Sequence, residues 1–324
     1  MEHYDRAKRA GTAAILCAVL LRLFSAGIPE RIASFLTNPN IAAFLIYLET
    51  GRDVRFSPSL QVFSPHFAES PPPSAPKVTE DPLPSFSGEE AVELYYDCRV
   101  SPDTAALLAK PLTWDLREGD PAVLILHTHS TESYTKAGES YPETARWRTL
   151  EEDYNMLSIG RRVGQLLSEA GIGVIQDRSL HDYPSYNGSY VHARQAIEGY
   201  LQEYPSIRLI LDLHRDASGG SGAQMRTLAA SEESPCAQLM IVLGTNHEAY
   251  EENLSLGLKL HAQLERISPG ITRPLQLRAQ RFNQDLSPGA LLVEVGAAGN
   301  THTEAMAAAE LLAKAVLALA GGSA

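Results

Sequence analysis

Short apolar runs alternate with segments of helical periodicity from about residue 120 to the C-terminus. The runs predict strands covered on both faces of a sheet, because four to eight consecutive apolar residues are typical of such strands. They lie at 122–126, 172–176, 207–213, 238–244 and 290–296, and helices are predicted over 155–171, 189–204, 252–267 and 303–320. Strands that alternate with helices predict right-handed crossovers. We therefore expect an α/β fold with a largely parallel central sheet flanked by helices.

The N-terminus has the charge order of a signal sequence or a membrane anchor. Arg6, Lys8 and Arg9 precede an apolar run, and Arg22 interrupts that run after about a dozen residues, fewer than the roughly 20 that span a bilayer. No clean cleavage site follows. We expect an uncleaved anchor over residues 1–30, with a removed signal peptide and a soluble amphipathic helix as alternatives.

Residues 31–90 have the composition of a linker. A short apolar segment at 41–48 is followed by a stretch rich in Pro and Ser, which buries too little apolar surface to fold and is kept extended by its prolines. The predicted division of the chain is therefore an anchor (1–30), a linker (31–90) and an α/β domain (91–324).

Composition excludes some classes of function. The chain has 324 residues and a net charge of −12, which argues against nucleic acid as a partner, since phosphate binding needs a basic surface. Its three cysteines are too few and too scattered for a disulfide framework or a cysteine-based zinc site. Any bound metal ion would therefore be held by histidine and carboxylate.

Such residues follow or lie within three predicted strands. The first strand is followed by HTHSTE with His127, His129 and Glu132, another leads into DLHRD with His214, and the last contains Glu294 within VEVG. Functional residues of α/β sheets gather at the carboxyl ends of strands. An isolated carboxylate such as Glu294 is costly to bury in an apolar strand unless it has a partner or a function. This pattern predicts a metal-dependent hydrolase site of His and Glu.

The chain also resembles a known family. HTHSTESY, SIGRRVGQLLSEAGIGV, HDYPSYNGSY, LDLHRDA, VLGTNH, RFNQDLSPGALLVEVG and NTHTEA, in this order from about residue 85, resemble the stage II sporulation protein P family. These are membrane-anchored cell-wall hydrolases of endospore-forming bacteria, similar to zinc-dependent N-acetylmuramoyl-L-alanine amidases. The resemblance implies a Zn²⁺ enzyme that cuts the muramoyl–alanine amide of peptidoglycan, and also stem-peptide crosslinks, during engulfment. It implies stage II sporulation proteins D and M as partners, with the catalytic domain on the outer side of a single-pass membrane anchor.

The resemblance also implies roles for individual residues. His214 matches the second histidine ligand and Glu294 the catalytic glutamate, which would take the proton from water and return it to the leaving amine. The first histidine ligand is either His127 or His129. The carboxylate ligand is Glu132 within the family motif, or else Glu151 or Glu152 before the first helix.

Other residues are weaker candidates. Arg215 would stabilise an oxyanion or bind a stem-peptide carboxylate, or instead form a salt bridge with Asp212 or Asp216. Residues of a loop before the last strand are candidates to line the substrate groove: Asn283, Gln284 and Asp285. Two alternative functions remain: a zinc exopeptidase of soluble peptides, and a catalytically silent scaffold that binds peptidoglycan.

Overall fold

The computed structural model of the protein describes residues 60–63, 84–118, 120–136, 138–217, 224–230 and 234–321. The predicted membrane anchor (1–30) and most of the predicted linker lie outside these ranges. Within them, no helix combines the length and the apolar composition needed to cross a bilayer.

One eight-stranded sheet organises the described residues. Its strands are β1 (Leu60–Phe63), β2 (Leu94–Asp97), β3 (Val123–Leu126), β4 (Val174–Asp177), β5 (Leu209–Asp216), β6 (Leu239–Gly244), β7 (Leu275–Arg278) and β8 (Ala290–Ala297). The α-helices are α1 (Thr104–Ala109), α2 (Met156–Glu169), α3 (Ser189–Glu203), α4 (Tyr250–Ile267) and α5 (His302–Ala318), with a 3₁₀ helix at Gln284–Leu286. The strand order is β1-β4-β3-β5-β8-β6-β7-β2.

The α/β class is confirmed, and the sheet that the described residues form is mixed: five of its seven strand pairings are parallel and two are antiparallel. Strands β4, β3, β5 and β8 are parallel to one another, as predicted. Strand β6 runs antiparallel to β8, and β1 runs antiparallel to β4. A parallel neighbour needs a crossover connection, usually a helix, and the sequence has no predicted helix between the runs that became β5 and β6. Strand β6 therefore runs opposite to β5, with β8 between them in the sheet.

Strand β1 lies inside the segment that was predicted to be an extended linker. Leu60–Phe63 is the edge strand of the sheet and pairs with β4, from Leu60 opposite Asp177 to Phe63 opposite Val174. The pairing satisfies the backbone N–H and C=O groups along one side of β1. Its sequence, LQVF, has no continuous apolar run by which the strand could be identified.

The sheet buries two different faces. Alternate residues such as Val123 and Ile125 pack in a core with α2, α4 and α5, whereas Leu124 and Leu126 pack in a second core with α3. We call these the α2 face and the α3 face. Because side chains alternate along a strand, the position of a residue in β3, β5 or β8 determines which face it occupies.

Helix α2 approaches the sheet unusually closely at Gly160. A Cβ atom at this position would lie 2.4 Å from Nε2 of His127 and 2.6 Å from Nε2 of Gln176. The helix begins at Asn155, whose side chain accepts a hydrogen bond from the backbone N–H of Leu157 at 3.0 Å. Helix and strand are thereby held in close contact directly behind the HTHSTE motif.

Candidate active site

His214 and Glu294 lie side by side on the α3 face. They are directly opposite each other in the parallel pairing of β5 with β8. Asp212, two residues before His214, shares this face, and His214 Nε2 lies 2.9 Å from Asp212 Oδ1. Burial opposes ionisation of the ring, but the Asp212 and Glu132 carboxylates outweigh it and raise the pKa of His214 to about 9.

Asp212 also ties the first motif to β5. Its two carboxylate oxygens accept hydrogen bonds from the backbone N–H and the hydroxyl of Thr128, at 2.8 and 2.7 Å. Asp212 therefore fixes the start of the HTHSTE loop and places a carboxylate within ion-pair distance of His214.

Glu132 is buried beside His214. Its Oε2 lies 3.8 Å from Nδ1 of His214 and accepts a hydrogen bond from the backbone N–H of Arg215 at 3.2 Å. Its Oε1 lies 3.4 Å from the Arg215 guanidinium and 3.3 Å from that of Arg148. Although burial acts in the opposite direction, Arg215 and His214 hold the pKa of Glu132 below its usual value.

His129 completes this group of side chains. Its ring is edge-on to that of His214, with centroids 5.2 Å apart, and it stacks on Tyr186 at 4.4 Å. Burial lowers the pKa of His129 to about 4, so the ring is neutral at pH 7. Its Nδ1 is buried and has no hydrogen-bond partner among the described residues. A neutral imidazole with a free nitrogen is the form of histidine that binds a metal ion.

His127 lies apart from this group, on the α2 face. Its Nδ1 is 3.0 Å from the carbonyl oxygen of Leu213, to which it donates, and its Nε2 is 3.1 Å from Nε2 of Gln176, from which it accepts. Both ring nitrogens are therefore engaged by the protein, under the close contact with Gly160. This arrangement favours His129 over His127 as the first histidine ligand, which remains a prediction.

Glu294 is largely buried and poorly paired. Its Oε2 has no hydrogen-bond partner among the described residues. Burial, with help from the charges of Glu132 and Asp216, raises the pKa of Glu294 to about 8. A carboxyl group that ionises near neutral pH is suited to accept and return a proton.

The other carboxylates proposed as ligands lie elsewhere. Glu151 is exposed, and Glu152 forms an ion pair with Arg178. These contacts favour Glu132, which touches both His214 and Arg215.

The donor types fit zinc, but they do not yet form a coordination site. In the ranges that the structure describes, no group of three or more His, Cys, Asp or Glu side chains is arranged to hold a metal ion. His129, whose Nδ1 has no hydrogen-bond partner in the described part of the chain, lies beside Glu132 and His214, and together they offer the imidazole and carboxylate ligands that zinc prefers. Convergence of the three side chains on one ion requires them to reorient.

The remaining candidates have structural contacts. The Arg215 guanidinium is buried and donates to the carbonyl oxygens of Ser133 and Trp147, both at 2.9 Å, in addition to facing Glu132. It thus pairs with Glu132 rather than with Asp212 or Asp216.

The predicted substrate loop holds the surrounding backbone in place. Gln284 donates to the carbonyl of Val242 at 2.8 Å and accepts from the N–H of Gly244 at 2.7 Å. Asn283 donates to the carbonyl of Tyr190 at 2.8 Å. The two oxygens of Asp285 accept from Arg194, both at 3.0 Å. Their role in substrate binding stays a prediction.

Sequence reasoning missed three residues that surround His129 and Glu132. Tyr186 and Tyr190 both pack against His129, Tyr186 by stacking and Tyr190 edge-on at 5.6 Å. Arg148 contacts Glu132 and Tyr186, and its guanidinium lies 2.5 Å from Asp182. The tyrosines are in HDYPSYNGSY, but their proximity to His129 depends on how the loop after β4 folds back, which the sequence pattern does not indicate.

Fold and site together define an α/β protein with a buried cluster of histidines and carboxylates where β3, β5 and β8 lie side by side. Residues 74–317 match the family model of stage II sporulation protein P. The chain is 30% identical over 259 residues to the stage II sporulation protein P of Bacillus subtilis (strain 168), a match that covers 76% of this chain and 60% of the length of that protein. The chain belongs to the stage II sporulation protein P family.

One solved structure is also similar in part. It is an N-acetylmuramoyl-L-alanine amidase from Clostridium difficile 630, with a TM-score of 0.37 and 14% sequence identity, covering 61% of this chain and 96% of that one. A TM-score of this size does not establish a shared fold.

Proposed function

We propose that this protein is a peptidoglycan hydrolase: a zinc-dependent N-acetylmuramoyl-L-alanine amidase with endopeptidase activity on stem-peptide crosslinks. The observation that carries the proposal is the buried group on the α3 face. It brings together with Glu132 and His214 two atoms that have no hydrogen-bond partner among the described residues, Nδ1 of His129 and Oε2 of Glu294. Unpaired polar atoms are costly inside a protein, and their concentration here supports a site built for a ligand.

His129, Glu132 and His214 would hold the zinc ion, and His214, which is protonated in the metal-free protein because its pKa is about 9, would release its proton on binding. When bound, zinc polarises the scissile carbonyl and acidifies a water molecule. Glu294 accepts a proton from the attacking water and returns it to the leaving amine, for which its raised pKa is suited. Asp212 keeps His214 oriented, and the Arg215 and Arg148 guanidinium groups keep Glu132 ionised and in place.

We also propose the biological setting that family membership supports. The enzyme would act in thinning of the septal wall and in engulfment during endospore formation, together with stage II sporulation proteins D and M. A membrane anchor over residues 1–30 would hold the catalytic domain on the outer side of the membrane, between the two cells' membranes.

The test is cleavage of purified peptidoglycan sacculi by the full chain with Zn²⁺, with the products resolved by mass. Release of free stem peptides is expected from the amidase, and cleaved crosslinks from the endopeptidase. Activity should be lost on chelation of the metal and restored by Zn²⁺. Cleavage of small soluble peptides alone would favour an exopeptidase, and binding of sacculi without any product would favour a scaffold.

Replacing Glu294 with Gln tests the catalytic assignment. We expect Glu294→Gln to lower the rate of stem release by about 10²–10⁴-fold, because the group that carries the proton is lost. Its zinc content, measured by elemental analysis, should stay near that of the wild type. Glu310→Gln is the matched control and should remain active. Glu310, on α5, forms a partly exposed ion pair with Arg162 of α2. A fully active Glu294→Gln enzyme would exclude this glutamate as the base.

A further inference from the structure

A groove of about 390 Å³ lies beside the α3 face, next to the candidate active site. One wall is the start of α3, with Tyr190, Val191 and Arg194, and the other is the segment 280–283 that follows β7. Val191 is 59% exposed at the start of α3. The groove therefore offers apolar surface to a ligand.

Tyr190 connects the groove to the site. Its ring lines the groove and is stacked on His214, with centroids 6.5 Å apart, and it meets Phe282 on the other side at 5.9 Å. A molecule bound against Tyr190 in the groove would consequently extend toward His214 and Glu294.

The second wall is held in a strained conformation. Phe282 and Asn283 are consecutive non-glycine residues with φ of 51° and 57°. Such backbone persists when its surroundings fix it, and it is concentrated at functional sites. Here the Asn283 side chain binds the carbonyl of Tyr190, and Gln284 binds the backbone of β6. Gly244 allows the segment to pass closely, since a Cβ there would lie 2.5 Å from the carbonyl oxygen of Gln280.

The groove contains one cation that is weakly paired. Arg194 binds both oxygens of Asp285 at 3.0 Å and also pairs with Glu198. The side chain of Arg281 is 59% exposed, and its ion pair with Asp285 is long, at 3.9 Å. The chain has a net charge of −12, so an exposed arginine is a local exception. Beside aromatic and aliphatic surface, it favours a ligand that carries an anionic group next to an apolar one.

We propose that this groove binds the stem peptide of the substrate, with a free peptide carboxylate on Arg281 and aliphatic parts of the peptide against Val191 and Phe282. A guanidinium group binds a carboxylate with two parallel hydrogen bonds, which fixes the peptide's direction. The stem would then lie along the groove with its linkage toward His214 and Glu294. This inference rests on the proposed function, because it assigns a subsite to the same substrate.

The experiment measures binding rather than cleavage. Two probes are titrated into the full-length protein by calorimetry: N-acetyl-L-alanyl-γ-D-glutamyl-L-lysinamide, and the same peptide with the glutamate α-carboxyl group amidated. The wild type should bind the free acid at least tenfold more tightly. Arg281→Gln should lose this preference. Arg278→Gln, an exposed arginine at the end of β7 that pairs with Asp97 outside the groove, should keep it.

Equal binding of the two probes by the wild type, absence of binding, or a preference kept by Arg281→Gln would overturn the proposal. A kinetic arm on sacculi separates it from the proposed function. There, Arg281→Gln should raise the sacculus concentration for half-maximal rate at least tenfold and leave the maximal rate unchanged. If wild-type protein cleaves no sacculi yet discriminates between the probes through Arg281, the proposed activity fails and the peptide subsite remains. If it cleaves sacculi without that discrimination, the subsite fails alone.

Discussion

Two histidines that are two residues apart, His127 and His129, have opposite surroundings. His127 continues the alternation of Val123 and Ile125 and so faces α2, where both its ring nitrogens are bonded. His129 lies beyond the end of β3, in the turn that leads to Glu132, and its Nδ1 is free of partners in the described part of the chain. The strand and its end at residue 126 were readable from the sequence, but the path of the turn that follows it was not, so the sequence left the choice between the two histidines open.

Substituting each histidine separates a ligand from a structural residue. His129→Asn should abolish zinc binding and stem release while lowering the free energy of unfolding less than His127→Asn, since Nδ1 of His129 has no hydrogen-bond partner among the described residues and the main loss is its stacking on Tyr186. His127→Asn should lower the free energy of unfolding by about 1–3 kcal/mol, because buried groups lose their partners. Urea unfolding of the metal-free proteins and elemental analysis give the two readouts. Zinc binding retained by His129→Asn and lost by a folded His127→Asn would reverse the assignment.

Lys259 gives a prediction about pH at a site remote from the candidate active site. The residue is almost fully buried in α4, where its ammonium donates to the carbonyl of Leu107 at 2.9 Å and to the hydroxyl of Ser255 at 2.8 Å. Burial lowers the pKa of Lys259 to about 8. Between pH 8 and about 10.5, the folded protein therefore binds fewer protons at this residue than the unfolded chain, so its contribution to stability rises with pH.

The comparison with Lys259→Met isolates this effect. The free energy of unfolding of the wild type should rise relative to that of Lys259→Met as the pH increases from 8 to 10. Lys314→Met, at an exposed position of α5, should run parallel to the wild type over the same range. Denaturant unfolding at several pH values measures all three proteins, and a constant difference between wild type and Lys259→Met would contradict the lowered pKa.

At the scale of elements, segments with a helical period or a continuous apolar run were predictable, and segments with neither were not. Helices α2, α3, α4 and α5 and strands β3, β4, β5, β6 and β8 all lie where the apolar pattern placed them, within a few residues. Strands β1 (LQVF), β2 (LYYD) and β7 (LQLR) are as long as β3 and β4 but lack the continuous apolar run that identifies those two, and they form because neighbouring strands offer an edge. The direction of β6 depends on its connection rather than on its own residues.

The close contact between α2 and the sheet is an element-scale feature with a direct test. Gly160→Ala should lower the free energy of unfolding by about 1–3 kcal/mol, because the added methyl overlaps the buried rings and amides of His127 and Gln176. Gly199→Ala, within α3, is the matched control: its Cβ would meet no atom within 4 Å. There the substitution should stabilise the protein by about 0.5–1 kcal/mol through helix propensity. Thermal and urea unfolding measure both, and equal effects would mean that α2 moves away from the sheet at no cost.

At the scale of the whole molecule, the sequence predicted which residues gather but not how they are supported. His214 and Glu294 were expected together because both belong to strand ends of one sheet, and the β5–β8 register places them opposite each other. The roles of Asp212, Arg148 and Tyr186 depend on contacts between segments far apart in the chain. Such contacts follow from the folded path of loops, for which a single sequence carries no periodic signal.

The candidate metal site joins two segments of the chain, so metal binding should stabilise the entire domain. His129 and Glu132 follow β3, whereas His214 belongs to β5, and only folding brings them together. A zinc concentration of about 100 times its dissociation constant should add about 2.7 kcal/mol to the free energy of unfolding. For a chain of this size, that is a rise in Tm of about 5–10 °C. Calorimetry with and without Zn²⁺ measures it, with Mg²⁺ as the ion control. His129→Asn should show no rise, and an equal rise in that variant would place the stabilising zinc ion elsewhere in the protein.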